Sequence, residues 1–176
     1  MAIERFVTIS GCSGGGKSTL LSELARRGYA TVEEPGRRIV KQELASAGRA
    51  LPWIDAEAFL HRAIAMAEHD CVEAAKHDGW VFFDRGLLDA ALGLEFLTRE
   101  PALQALSGLR FNRRVFLTPP WPEIYCLDSE RRHGLDEAIA EYKQKLGAYR
   151  ALGYDPILLP KISVSERADF VLSSLG

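Results

Sequence analysis

The stretch Gly11-Cys12-Ser13-Gly14-Gly15-Gly16-Lys17-Ser18-Thr19 holds the residue types that grip a polyphosphate, at the Walker A spacing G-x-x-x-x-G-K-S/T. Glycines admit positive φ and close backbone approach, so successive N–H groups can converge on phosphate oxygens. The positive end of a following helix adds to that field. Gly11, Ser13, Gly14, Gly15, Gly16, Lys17, Ser18 and Thr19 are therefore the expected cradle for a nucleotide. Lys17 would reach the β- and γ-phosphates, and the Ser18 hydroxyl would enter a Mg²⁺ shell. A chance glycine-rich turn would leave the flanking pattern unexplained.

Three further places carry chemistry. Trp80-Val81-Phe82-Phe83 is a β-forming run that ends on Asp84-Arg85-Gly86. A carboxylate after an apolar strand, beside a phosphate loop, suits Mg²⁺, which takes one or two carboxylates with waters and phosphates. Asp84 and Ser18 are the expected metal ligands, the alternative for Asp84 being a helix cap. Arg85 could grip a phosphate or an acidic substrate bidentately, or form a structural ion pair. Glu34, fixed by Pro35, is the expected carboxylate near the nucleophile's proton. Its rival Glu33 points to the opposite side by strand alternation. Arg131 and Arg132, in a polar stretch, could close over the triphosphate and neutralise developing charge. Lys17, Glu34, Asp84, Arg85, Arg131 and Arg132 are thus the catalytic candidates.

Elements must bring these residues together. Phe6-Val7-Thr8-Ile9 reads as a buried strand, and Leu20, Leu21, Leu24 and Ala25 recur at helical spacing after the loop. Further β runs fall at Tyr29–Glu33, Trp80–Asp84, Arg114–Leu117 and Ile157–Leu159. Between them, helical patterns run from Gly36 to about Ala47, from Asp55 to about Lys76, from Leu87 to about Leu97, and from Leu135 to about Leu152. Asp55 and Ser163 or Ser165 are cap candidates. Strands alternating with helices predict a three-layer α/β/α fold with a five-stranded parallel sheet. Right-handed crossovers then place every loop after a strand along one edge, around one crevice. Residues 1–176 read as one domain, with residues 119–134, rich in proline at their start, as a short lid.

Composition narrows the function classes. A formal net charge of −2 over 176 residues gives no electrostatic reason to expect nucleic acid or membrane as partner. No apolar stretch is long enough to span a bilayer, and the N-terminus lacks a signal-peptide core. The odd cysteine set, Cys12, Cys71 and Cys126, lacks metal spacing and suits a reducing compartment. A cytoplasmic protein is expected. Its partners are a nucleotide and a small-molecule acceptor, and a homodimer is compatible with the sequence. His61 and His69 read as surface or packing residues rather than ligands.

The motifs together resemble the P-loop nucleoside and nucleotide kinases. Glu34-Pro35 is similar to the Glu-Pro of deoxynucleoside kinases, where the Glu is the general base, and Glu34-Pro35-Gly36 to the Arg-Glu-Pro-Gly of thymidylate kinases. Asp84-Arg85 is similar to the Asp-Arg after the third strand of thymidylate kinases, though Gly86 replaces the aromatic or His that follows there. A closer resemblance is to small predicted ATPases of the AAA-like grouping, related to the ribosylnicotinamide kinase domain. It rests on Asp84-Arg85-Gly86, Phe116-Leu117-Thr118-Pro119-Pro120-Trp121-Pro122, Gly153-Tyr154 and Arg167-Ala168-Asp169-Phe170. The resemblance implies ATP- and Mg²⁺-dependent phosphoryl transfer to a nucleoside, nucleotide or related metabolite. It also implies lid arginines at Arg131 and Arg132, and an adenine flanked by residues 161–164. Trp53, Phe59 and Trp121 are the aromatics available for stacking. The alternative expectation is a regulatory ATPase that switches a protein partner.

Overall fold

The computed structural model describes residues 4–103, 111–124 and 134–176. Five parallel strands, β1 (Phe6–Gly11), β2 (Ala30–Val32), β3 (Val81–Asp84), β4 (Arg114–Thr118) and β5 (Asp155–Leu158), lie in the order β2-β3-β1-β4-β5. The helices are α1 (Lys17–Arg26), α2 (Pro35–Ser46), α3 (Ala56–Ala74), α4 (Leu87–Thr98), α5 (Leu135–Ala151) and α6 (Val164–Leu175).

The central strands are continuous apolar runs because both faces of the sheet are covered. Alternation sorts their side chains. Val7, Ile9, Phe82 and Phe116 pack with Leu20 and Leu24 of α1 and Val171 of α6 on one face. Phe6, Phe83, Val115 and Leu117 pack with Ala67, Leu87, Ala138 and Tyr149 of α3, α4 and α5 on the other. Arg27 locks α1 to α6, pairing with Glu23 at 2.8 Å and Asp169 at 2.6 Å.

Element ends follow local chemistry. The Asp55 carboxylate caps α3 by accepting from the Ala58 N–H, and Ser163 with Glu166 forms a capping box on α6. The fifth strand begins two residues before the apolar run and includes Pro156. At a sheet edge its missing N–H costs no ladder bond.

Register aims the site. Ile9 lies beside Asp84, and Gly11 beside Thr118, so the loops after β1, β3 and β4 leave the sheet side by side. The chain fills one side of β1 with β2 and β3 before crossing to β4 and β5. The strand order reverses there, which is where open α/β sheets form a crevice.

Candidate functional site

The loop after β1 is braced from β4. Thr118 O accepts from the Cys12 N–H at 2.8 Å, and the Thr118 hydroxyl donates to the carbonyls of Ser10 and Cys12 at 3.2 Å. A Cβ on Gly11 would collide with the Thr118 backbone, and one on Gly15 would sit 2.6 Å from the Thr118 side chain. Gly14 and Gly16 take φ values of 76° and 79°, so glycine is needed where the loop turns into α1. Cys12 contributes its carbonyl, which accepts from the Gly15 N–H and Lys17 Nζ, while burial pushes its thiol pKa up. The loop amides therefore do not activate it.

Lys17 is 6 % exposed. Burial, reinforced by the Arg85 guanidinium, lowers its pKa to about 8. Beside it, Ser18 Oγ donates to Asp84 Oδ2 at 3.3 Å, while Asp84 Oδ1 is buried and has no hydrogen-bond partner among the described residues. Burial, and then the Glu34 charge, raise the Asp84 pKa to about 6. A buried carboxylate with an open oxygen, next to a hydroxyl, fits a Mg²⁺ ion. No cluster of three His, Cys, Asp or Glu side chains supplements it among the described residues. Such an ion would depend on nucleotide phosphates and water for its other ligands.

Glu34 stands at the N-terminus of α2 and caps nothing with its side chain. Its Oε1 lies 3.6 Å from Arg85 Nη1, and its Oε2 lies 3.4 Å from Arg37 Nε. Burial opposes ionisation, but the cations of Arg85, Lys17 and Arg37 outweigh it and hold the carboxyl below its ordinary range. Arg85 is a non-glycine residue at φ 59°, a conformation worth about 1 kcal/mol of strain. Its N–H donates to Ile9 O at 2.9 Å, which fixes the turn. Gly86 follows at φ 111° and ψ −149°, a region only glycine enters freely, so the aromatic or His of thymidylate kinases has no place here.

Three chambers meet at Glu34. The largest, about 650 Å³, is lined by Ser13, Lys17, Ser18, Arg85, Trp121 and Arg167, with Ile162 and Val164 on its wall. A second, about 400 Å³, lies between α1 and α2 and takes in Ser18, Glu33, Arg37 and Lys41. A third, about 170 Å³, is walled by Phe59, Leu60, Ala90 and Phe96, with Arg85, Glu141 and Lys145 among its lining. Glu34 lines all three, and Glu33 only the second.

The structure thus brings the phosphate loop, Glu34, Asp84 and Arg85 together. Arg131 and Arg132 lie outside the described residues, as does most of the expected lid. Of the aromatics, Trp121 faces the large chamber and Phe59 the small one, while Trp53 lines none of the three. Arg85 forms the ion pair weighed for it, with Glu34 and Glu141, and lines the large and small chambers.

Two groups escaped the sequence reading as site residues. Arg167 is 5 % exposed, donates from Nη1 to the Gly16 and Gly15 carbonyls at 3.3 and 3.5 Å, and lies 5.4 Å over the Trp121 ring. Lys145 and Asp89 pair at 3.1 Å deep in the small chamber. Lys145 falls on the buried stripe Ala138, Tyr142, Lys145 and Tyr149 of α5, and a lysine at such a spacing is a signal that could have been found.

This is the fold of the P-loop kinases, reached from strand order and loop geometry. The chain belongs to the AAA domain family, whose model matches residues 6–167. No curated protein matches it in sequence. Among solved structures it is similar to deoxyadenosine kinase from M. mycoides with the products dCMP and dCDP bound, at 15% identity and TM-score 0.64, covering 99% of this chain and 98% of that one. It is also similar to shikimate kinase from Acinetobacter baumannii in complex with shikimate, at 17% identity and TM-score 0.61, covering 97% and 92%. A third likeness is NadR protein in complex with NAD and AMP-PNP, at 17% identity and TM-score 0.65. That match covers 97% of this chain and 49% of NadR.

Among the described residues no helix is long and apolar enough to cross a membrane.

Proposed function

We propose that the protein transfers the γ-phosphoryl group of ATP, with Mg²⁺, to a hydroxyl or phosphate of a small acceptor, a nucleoside, nucleotide or related metabolite. The observation that carries this reading is the position of Glu34, where the large chamber beside the phosphate loop meets the small one walled by Phe59. Phosphoryl transfer needs a donor site and an acceptor site opening on one another, with a carboxylate at their junction.

In this reading Lys17 and the loop amides hold the phosphates, and the apolar wall of Ile162, Val164 and Trp121 receives the base. Ser18 and Asp84 hold Mg²⁺, which supplies charge neutralisation on the phosphates. Glu34, kept ionised by its cations, orients the acceptor hydroxyl and accepts its proton. Arg85 orients Glu34, and Arg131 or Arg132, in a lid spanning about residues 119–134, closes the site.

Likeness to a deoxyadenosine kinase and a shikimate kinase supports transfer to a small molecule. Those two act on unlike acceptors, so the fold does not choose one.

The test is an acceptor screen with γ-labelled ATP across nucleosides, nucleotides and small hydroxylic metabolites. Label appearing in one acceptor class, and lost in Lys17→Ala, is expected. Slow ATP hydrolysis with no labelled acceptor would overturn transfer and favour a regulatory ATPase. No ATP binding at all would overturn both readings.

A further inference from the structure

The Glu34–Arg85 pair is not closed on itself. Arg85 Nη1 is shared, 3.6 Å from Glu34 Oε1 and 3.3 Å from Glu141 Oε1. The same Glu141 oxygen lies only 2.6 Å from Lys145 Nζ. One carboxylate oxygen therefore stands between two cations and leans toward the lysine.

Lys145 is itself fixed. Its side chain is 5 % exposed, and Nζ lies 3.1 Å from Asp89 Oδ1. Asp89 in turn accepts from Ser10 Oγ at 2.6 Å and from the Tyr149 hydroxyl at 2.8 Å. A network running from β1 through α4 to α5 thus ends on the guanidinium beside Glu34. Among the described residues, the charges that act on that guanidinium include Glu34 at the start of α2, Glu141 from α5, Asp84 from β3, Asp89 from α4 and Lys17 from α1.

Two carboxylates competing for one nitrogen make a balance, and a third group that holds one of them sets it. We propose that Glu141 and Lys145 are positioning residues: Lys145 shares the Glu141 oxygen to which Arg85 Nη1 donates and so weakens its hold, which leaves the Arg85 guanidinium able to orient Glu34. The proposal rests on reading Glu34 as the acceptor-side carboxylate, but its geometry can be tested without any acceptor. It makes opposite demands on two variants. Glu141→Gln removes the competitor and lets Arg85 settle on Glu34. Lys145→Met takes that cation from the shared oxygen, so Glu141 holds Arg85 more strongly.

The experiment is arginine-selective ¹⁵N spectroscopy of the ligand-free, full-length protein, following the side-chain N–H of Arg85. Arg85 Nε is buried and has no hydrogen-bond partner among the described residues, so its signal responds to small displacements of the guanidinium. Glu141→Gln should move that signal one way and keep it protected from exchange. Lys145→Met should move it the other way, toward its position in Glu34→Gln, and Lys145→Arg should restore it. Combining Glu34→Gln with Glu141→Gln should remove both carboxylates from Arg85 Nη1 and speed its exchange at least ~10-fold. An unmoved Arg85 signal in Glu141→Gln, or shifts of the same sign in Glu141→Gln and Lys145→Met, would overturn the proposal. Should Lys145→Met fail to fold, opposite shifts in Glu141→Gln and Glu34→Gln decide the matter. These readouts stand even if the acceptor screen finds no transfer, so the two failures are separable. Where an acceptor is found, Lys145→Met should lower kcat about tenfold with KM for ATP unchanged, and a loss confined to ATP affinity would count against positioning.

Discussion

Arg85 keeps one guanidinium nitrogen within 3.6 Å of Glu34, and Glu34 in turn lines all three chambers described above. A carboxylate so placed is held ionised by its neighbours, which is what a proton acceptor requires near neutral pH. Glu34→Gln should therefore lower transfer by at least ~100-fold and leave ATP affinity within about threefold. Radiolabel transfer and calorimetry on the same preparation measure the two. Full transfer in the variant would remove Glu34 from the chemistry.

Lys17 predicts an unusual dependence on pH. Its ammonium loses protons near pH 8 in the folded chain, against 10.5 ordinarily, a difference on the order of 3 kcal/mol. Between those values the unfolded chain binds more protons than the folded one, so stability rises as pH rises from about 8 to 10.5. Below pH 8 the full cost is present. Denaturant melts of the free protein at pH 7, 8, 9 and 10 should show this climb, and Lys17→Met should flatten it. ATP affinity should move oppositely, falling above pH 8 as the ammonium is lost.

Arg167 joins the phosphate loop to the wall expected to receive the base. Arg167→Ala deletes two contacts to loop carbonyls and a cation–aromatic contact with Trp121. ATP binding should weaken about tenfold, about 1.4 kcal/mol, with the melting temperature falling only a few degrees. Isothermal titration of ATP checks it, and unchanged affinity would make Arg167 purely a core residue.

The phosphate loop should tolerate no side chain at Gly15. Gly15→Ala places a methyl group 2.6 Å from Thr118, on a frame held by three hydrogen bonds between β4 and the loop region. The loop must shift, so nucleotide binding should be lost, with destabilisation of about 1–3 kcal/mol. Thermal melting with and without ATP separates the two effects, and ATP-induced stabilisation equal to wild type would refute it.

Much of the fold was legible because its signals are local. Phe6–Ile9, Val81–Asp84 and Arg114–Leu117 are apolar runs whose length and β-branching leave few alternatives, and Asp55 and Ser163 announce their helices. The loops they bound inherit their place at one sheet edge from topology alone. What stayed hidden depends on distant partners. Asp89 meets Ser10 across 79 positions of sequence, and Arg167 meets Gly16 across 151. Lys145 interrupts an apolar stripe, and only its partners Asp89 and Glu141 show why a cation can be buried there. The start of β5 was also obscured, since Pro156 argues against a strand unless the strand is known to lie at an edge.

The lock between α1 and α6 divides the crevice mechanically. Arg27 ties the helix that leaves the phosphate loop to the helix that carries Arg167, through Glu23, Asp169 and the Ser165 carbonyl. The phosphate grip and the opposite wall of the large chamber are thus mounted on one bracket. The acceptor-side residues Glu34, Phe59 and Glu141 are carried instead by the elements on the other face of the sheet. Under the proposed function, the nucleotide would be held from one face of the sheet and its acceptor from the other.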